Sequence, residues 1–155
     1  MLTLLEGLRL ASALSTGYMA GSALYISVVE VPSRDGLAAR PMHHQWSQSF
    51  RLAAKSMMLS GLIAGAAPTA VYFLDENCPV RNLWLVGPAC FLMGSIYTFG
   101  FIIPDVKVML DKENIEKKGE TWLTKSVDTW GKKHLLRTLI NGTNFTCMIL
   151  AIMWS

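Results

Sequence analysis

Five side chains near the end of the chain share one helical spacing: Trp130, His134, Arg137, Asn141 and Asn144 follow one another at intervals of 4, 3, 4 and 3. At about 100° per residue they fall within roughly 80° of one helix face. An imidazole changes charge near neutral pH and can act as a general base. A guanidinium or a carboxamide can stabilise negative charge developing on an oxygen, and an indole can stack on flat rings. The positions around this stripe are mostly apolar or small. Thr138, Thr143 and Thr146 are the exceptions, and they can return their hydroxyls to the helix backbone. Taken singly, each residue also has a structural role open to it. Asn141 and Asn144 would serve as interhelical glue, Arg137 as a boundary anchor that snorkels, and Trp130 as an interfacial belt residue. The alignment of all five favours a lined site.

The chain that positions this stripe has 155 residues, of which 52% are hydrophobic and only 16% charged, with a mean hydropathy of +0.34. Soluble domains carry about 25% charged residues, so an ordinary soluble globule and a disordered chain are both excluded. A net charge of +3 is too mild for a nucleic-acid binder without clustering. Cys78, Cys90 and Cys147 show no Cys-x-x-Cys spacing, which argues against a disulfide scaffold, a zinc ribbon and a redox pair of the vitamin K reductase type.

Residues 10–29, 56–74, 83–103 and 138–155 are free of charge, and Pro104 closes the third run. A helix needs about 20 apolar residues to cross a core about 30 Å thick, whereas a soluble helix keeps a charged face. The expected fold is therefore all-α. It is a four-helix transmembrane bundle, a single membrane domain over residues 1–155, with spans at about 10–29, 56–74, 83–104 and 138–155. If so, the stripe must face the bundle interior or a wet cavity, because a charge left in hydrocarbon costs about 2.5–3.5 kcal/mol on insertion scales. The first run is too long for a signal core and has Glu6 where a basic region belongs, so it is expected to remain as a span. Small residues recur every four positions at Ala13, Gly17 and Gly21, and again at Gly61 and Gly65, a spacing that lets helices approach in lipid. Pro68 and Pro88 are expected to bend the second and third helices.

Four spans place Arg9 and Arg81 on one side of the bilayer and the other twelve Lys and Arg on the opposite side. The positive-inside rule then puts both termini on the non-cytosolic side. An endomembrane of the endoplasmic-reticulum type is favoured, with the mitochondrial inner membrane as the alternative. The long third loop, residues 105–133, contains a mixed-charge stretch at 111–120. It continues at 121–130 with Trp122, Leu123, Val127 and Trp130 among polar residues, which predicts a short amphipathic interfacial helix leading into the fourth span. The acids interleaved with its lysines weaken a polybasic lipid-binding role. The sequons at Asn141 and Asn144 lie inside the fourth run and are read as unglycosylated.

Other polar residues could complete a pocket opening toward the basic side. Asp105 follows Pro104, Glu30 ends the first span, and His43, His44 and Trp46 precede the second. Tyr18, Ser22 and Tyr25 share a face of the first helix and could line the depth of the pocket. His43 and His44 read as an exposed loop pair, and no spacing supports a metal site.

These residues carry a family resemblance that runs over nearly the whole chain. The signals are Ser27-Val28-Val29-Glu30-Val31-Pro32 after a small-residue helix, Trp46 ahead of the second helix, and Ile103-Pro104-Asp105 with Leu110 after it. The strongest is Trp130-Gly131-Lys132-Lys133-His134-Leu135-Leu136-Arg137, a W-x3-H-x2-R pattern. The chain resembles the anthrone oxygenase-like family of small four-span membrane proteins. Many members carry Asn soon after the proline, where this chain has Asp105 and Val106. The resemblance implies oxidation of anthrones to anthraquinones by molecular oxygen without a metal or flavin. It implies roles for His134 and Trp130, with Arg137 and Asp105 in support.

An anthrone has an acidic methylene beside a carbonyl and two rings, and its anion can pass an electron to oxygen unaided. His134 would be the base, Arg137 or Asn141 the donor to the enolate oxygen, and Trp130 the stacking surface, with Asn144, Asp105, Trp46 and Tyr25 binding substrate. The expected partners are the lipid bilayer and a hydrophobic aromatic small molecule, with a homo-oligomer or a membrane complex as the assembly. The competing reading is a non-enzymatic accessory subunit whose stripe is hydrogen-bonded internally. A channel is weaker, since no acidic residue lies inside any run.

Overall fold

The computed structural model describes residues 2–155, and all of its regular structure is helical. Helix α1 spans Leu4–Tyr25 and opens with a capping box. Thr3 accepts from the Glu6 amide, and Glu6 accepts from the Thr3 amide. The Thr3 amide and hydroxyl hold the Glu6 carboxyl below its ordinary value. Helix α2 spans Ala39–Leu74, α3 spans Val86–Tyr97, α4 spans Ile103–Leu110 and α5 spans Lys112–Met153. α1 packs on α2 and α5, α3 packs on the same two helices, and α2 also meets α5. The bundle is thus a ring of α1, α2, α3 and α5 with its stripe-bearing helix touching every other member.

Three helical stretches are long and apolar enough to cross a membrane: Ala39–Leu74, Arg81–Leu110 and Lys112–Met153. α1 has the length, at 22 residues, but its small and hydroxyl residues keep its hydropathy lower. That composition has a packing reason. Ser12, Ser15, Thr16 and Ala23 are its buried residues, while Leu14, Tyr18, Leu24 and Tyr25 are exposed. The Ser and Thr hydroxyls donate to carbonyls one turn back, Ser12 to Leu8 at 2.8 Å and Thr16 to Ser12 at 2.7 Å. Satisfied in this way, they can be buried at a close interface without an orphan donor.

Close approach is visible at particular glycines. A Cβ on Gly17 would lie 3.1 Å from the Phe145 ring, and Cβ atoms on Gly61 and Gly65 would lie 3.3 and 3.1 Å from Phe91. Gly21, expected to share this role, has open space around it. The tightest contact joins α2 to α3, where a Cβ on Gly87 would fall 2.3 Å from Pro68 Cγ. Pro68 lies inside α2 as expected, but Pro88 does not sit mid-helix. A 3-10 segment, Arg81–Leu85, precedes α3 and places Pro88 in its first turn, where a missing donor costs little.

Two π-helical segments, not foreseen from the sequence, interrupt the regular ladder. Ile26–Glu30 continues α1 and Thr98–Ile102 continues α3. Each is followed two residues later by a proline, Pro32 or Pro104, and the wider turn absorbs the displaced ladder. The region expected to be a long third loop is almost entirely helical. α4 runs to Leu110, and α5 begins at Lys112 with Asp111 accepting from the Glu113 amide. Gly119, at φ 78°, is the break inside α5. The amphipathic stretch after it runs unbroken into the last span, burying Leu123, Val127 and Trp130.

On the side opposite the basic cluster, Arg9 pairs with Asp75, and Arg81 Nε donates to the Tyr72 carbonyl at 2.7 Å. Both cations of that side therefore tie helix ends together.

Candidate active site

α5 turns its stripe inward. Trp130, His134, Asn141 and Asn144 are buried at 4%, 2%, 8% and 4% exposure, and Arg137 is half-buried. Trp130 is the hub. Its ring meets Trp46 edge-on at 5.7 Å and 80°, meets Phe50 at 6.4 Å and 82°, and lies 5.2 Å from the His134 ring at 33°. Trp46 is fully buried and stacks on Phe50 at 5.8 Å. Edge-to-face pairs of this kind add about 0.5–1.5 kcal/mol beyond area burial and fix ring orientation. Next to Trp130, Gly131 leaves room for Val31, which a Cβ would approach to 3.1 Å.

The ring of His134 is oriented from the π-helical extension of α1. Ser27 Oγ lies 3.3 Å from Nδ1 and 2.7 Å from Thr138 Oγ1. Thr138 Oγ1 donates to the Ala23 carbonyl at 3.1 Å. A carbonyl only accepts, so the direction propagates back: Ser27 donates to Thr138 and accepts from Nδ1–H. His134 thereby carries its proton on Nδ1. Nε2 keeps a free lone pair and has no hydrogen-bond partner among the described residues.

A second layer surrounds Trp130. Arg34, only 4% exposed, pairs with Glu30 at 2.6 Å and places its guanidinium carbon 6.0 Å from the Trp130 ring centroid. Burial draws the Arg34 guanidinium below its ordinary value, and Glu30 opposes this.

The stripe borders a cavity of about 420 Å³, within the ~300–1,000 Å³ of small-molecule sites. Trp130, His134, Arg137, Asn141 and Asn144 all line it. The opposing wall is mainly apolar, with Met19 from α1, Ile26 from the π-helical segment after it, Phe50 and Met57 from α2, and Phe91 from α3. Its rim includes the exposed Met58, Leu62 and Phe99. These belong to the uncharged runs of α2 and of the α3 extension, so part of the cavity's edge lies between those helices. The lining also reaches Ser49 and the exposed Ala54, next to Arg51 at the basic end of α2.

Several polar atoms of the wall have no protein partner: Trp130 Nε1, Asn141 Nδ2 and Asn144 Oδ1. Arg137 makes no ion pair among the described residues. Buried polar atoms are normally satisfied; Trp46 Nε1, Trp84 Nε1 and Arg34 Nε are equally unpartnered away from the cavity, but only the α5 atoms sit on a wall where a ligand with polar groups can meet them. Among the described residues no group of three or more His, Cys, Asp and Glu is arranged to hold a metal ion.

Three site residues foreseen from sequence, Tyr25, Asp105 and Trp46, do not line the cavity. Tyr25 is 59% exposed, because α1 buries its small face and turns its large residues outward; Tyr18 follows it. Asp105 does not line the cavity. Its carboxylate takes the Lys133 ammonium at 2.6 Å on a half-exposed surface, and Tyr97 Oη donates to the Lys133 carbonyl at 3.1 Å beside it. Trp46 backs Trp130 rather than lining the cavity. His43 and His44 sit on α2, not a loop, and His43 Nε2 donates to the Met109 carbonyl at 2.8 Å. Ser27, Thr138, Arg34 and Phe91 were not foreseen. Ser27 sits inside the Ser-Val-Val-Glu-Val-Pro signal, which was the one available pointer.

Fold and site together define an all-helical, membrane-type bundle with an inward polar stripe on an apolar cavity. The chain matches the sequence model of the family described as anthrone oxygenase over residues 46–147. It belongs to that family, and the matched region contains Trp46, Asp105 and the whole α5 stripe. No curated protein and no solved structure matches it.

Proposed function

We propose that this protein is a membrane-embedded oxygenase of anthrone-like aromatic substrates that uses molecular oxygen and no metal or flavin. The observation that carries this reading is the cavity, walled on one side by aromatic and aliphatic groups and on the other by His134, Arg137 and the unpartnered amides. An accessory subunit with an internally hydrogen-bonded stripe would have a collapsed core in place of this cavity.

In this reading a flat tricyclic substrate enters sideways from the acyl-chain region and stacks near the Trp130 ring. His134 Nε2 removes a proton from the methylene. Arg137, or the Asn141 amide, holds the negative charge that gathers on the carbonyl oxygen, an interaction stronger in the transition state than in the ground state. The electron-rich anion gives one electron to oxygen, and the radical pair joins to form a carbon–oxygen bond. Loss of the second methylene proton breaks the oxygen–oxygen bond. One oxygen atom stays as the new carbonyl and the other leaves as water, so the four electrons lost by the methylene carbon balance those gained by oxygen. The protein supplies proton transfer, charge stabilisation and exclusion of water.

We further place four spans in the bilayer, α1 included, with both termini on the non-cytosolic side of an endomembrane. A reporter fused after Ser155 reads this directly, and a cytosolic signal contradicts it.

The reaction is tested with purified protein, an anthrone and isotopically labelled oxygen. The reading predicts quinone carrying one labelled carbonyl oxygen, formed faster than in protein-free buffer. Formation no faster than in buffer contradicts it.

A further inference from the structure

A second cavity lies outside the α5 stripe, and the geometry points to a phosphate-binding groove for an anionic lipid headgroup at the basic face of the bundle. The groove measures about 400 Å³ and lies where the first turns of α2 meet the start of α5. Arg40, Arg51 and Lys112 line it, with His43, His44 and Glu116. Arg40 is partly neutralised by Glu120 at 3.3 Å. Arg51 and Lys112 have no ion-pair partner among the described residues, and neither has Glu116, so the groove keeps a net positive charge with cations on two walls and one carboxylate between. Lys112, the first residue of α5, shares the groove with Arg51, and an anion bound there would offset both charges. The His43 bond to the Met109 carbonyl fixes the floor of the groove between α2 and α4.

Height in the membrane narrows the ligand. α2 has 36 residues, about 54 Å at 1.5 Å per residue, against a hydrocarbon core of about 30 Å. Its uncharged run begins at Ser56, so Arg51 stands about 7.5 Å beyond the core, at the headgroup layer, and the groove continues outward to Arg40, about 24 Å beyond it. Basic pockets between helices near this level take phosphate headgroups, and the Gln48 amide on the wall can donate to a diester or monoester oxygen, the Ser47 hydroxyl being held by the His44 carbonyl. A phosphate supplied by a soluble molecule would meet the same groups, so the test separates the two sources.

Full-length protein in neutral detergent is titrated with dihexanoyl phosphatidic acid, dihexanoyl phosphatidylcholine or inorganic phosphate, and the thermal midpoint is followed. The proposal predicts a saturable rise with phosphatidic acid and none with phosphatidylcholine. It predicts binding about tenfold weaker in the Arg51→Gln, Lys112→Gln double variant, whose ligand-free midpoint stays that of the parent. Lys132→Gln, which removes an exposed charge outside the groove, should bind as the parent does. An equal rise with inorganic phosphate assigns the groove to soluble phosphates and supports its anion chemistry. No rise with either anion, an unchanged affinity in the double variant, or equal weakening by Lys132→Gln overturns the proposal.

Discussion

Ser27 Oγ stands 3.3 Å from His134 Nδ1, and this contact between the π-helical extension of α1 and α5 sets which imidazole nitrogen can take a proton. The Thr138 and Ala23 groups behind Ser27 impose the direction of the hydrogen bonds. Ser27→Ala should therefore lower kcat about tenfold, the worth of one neutral hydrogen bond, with KM nearly unchanged. Ser27→Thr keeps the hydroxyl and should restore much of the rate. Steady-state quinone formation by the three proteins checks this.

Arg137 lines the cavity without an ionic partner. Its loss should remove transition-state stabilisation while sparing the fold, since an unpaired guanidinium in a bundle interior adds no stability of its own. Arg137→Gln should lower kcat/KM by about 10²–10³-fold with a thermal midpoint that does not fall. Parallel kinetics and thermal unfolding separate the two effects.

Helix contact at Gly87 admits no side chain, because an added Cβ would lie 2.3 Å from Pro68 Cγ. Gly87→Ala should destabilise the protein by about 1–3 kcal/mol through overpacking. Gly21→Ala, with nothing near it, should change stability by no more than about 0.5 kcal/mol. Unfolding midpoints of the two variants in one detergent provide the comparison.

Much of this arrangement is legible in the sequence. The runs without charge give the helices, and the 4, 3, 4, 3 spacing brings five polar or aromatic side chains onto one wall, because a helix converts spacing into direction. Tyr25 misleads because large aromatic residues usually mark the buried face. In α1 the close partner helices take the small Ser12, Ser15 and Thr16 face and leave the tyrosines outside. Asp105 misleads because chain position near a helix end says nothing of its partner, and Lys133 from α5 claims it. The Ser27–Thr138–Ala23 relay joins residues more than 100 positions apart, so only the packed bundle reveals it. The π-helical turns likewise need the backbone: proline announces a disturbance but not its form.

Because Asp105 is bound at the surface by Lys133, at 40% and 33% side-chain exposure, Asp105→Asn should leave turnover unchanged. Its effect on stability should stay below about 1 kcal/mol. Activity measured beside Arg137→Gln shows whether the carboxylate belongs to the reacting centre.

The account depends most on His134 as the base. The direct measurement is the initial rate of quinone formation from an anthrone under oxygen, by the parent protein and by His134→Ala at matched concentration. The account predicts a rate lower by about 10²–10⁴-fold in the variant, with the fold retained. Equal rates from the two proteins would contradict it.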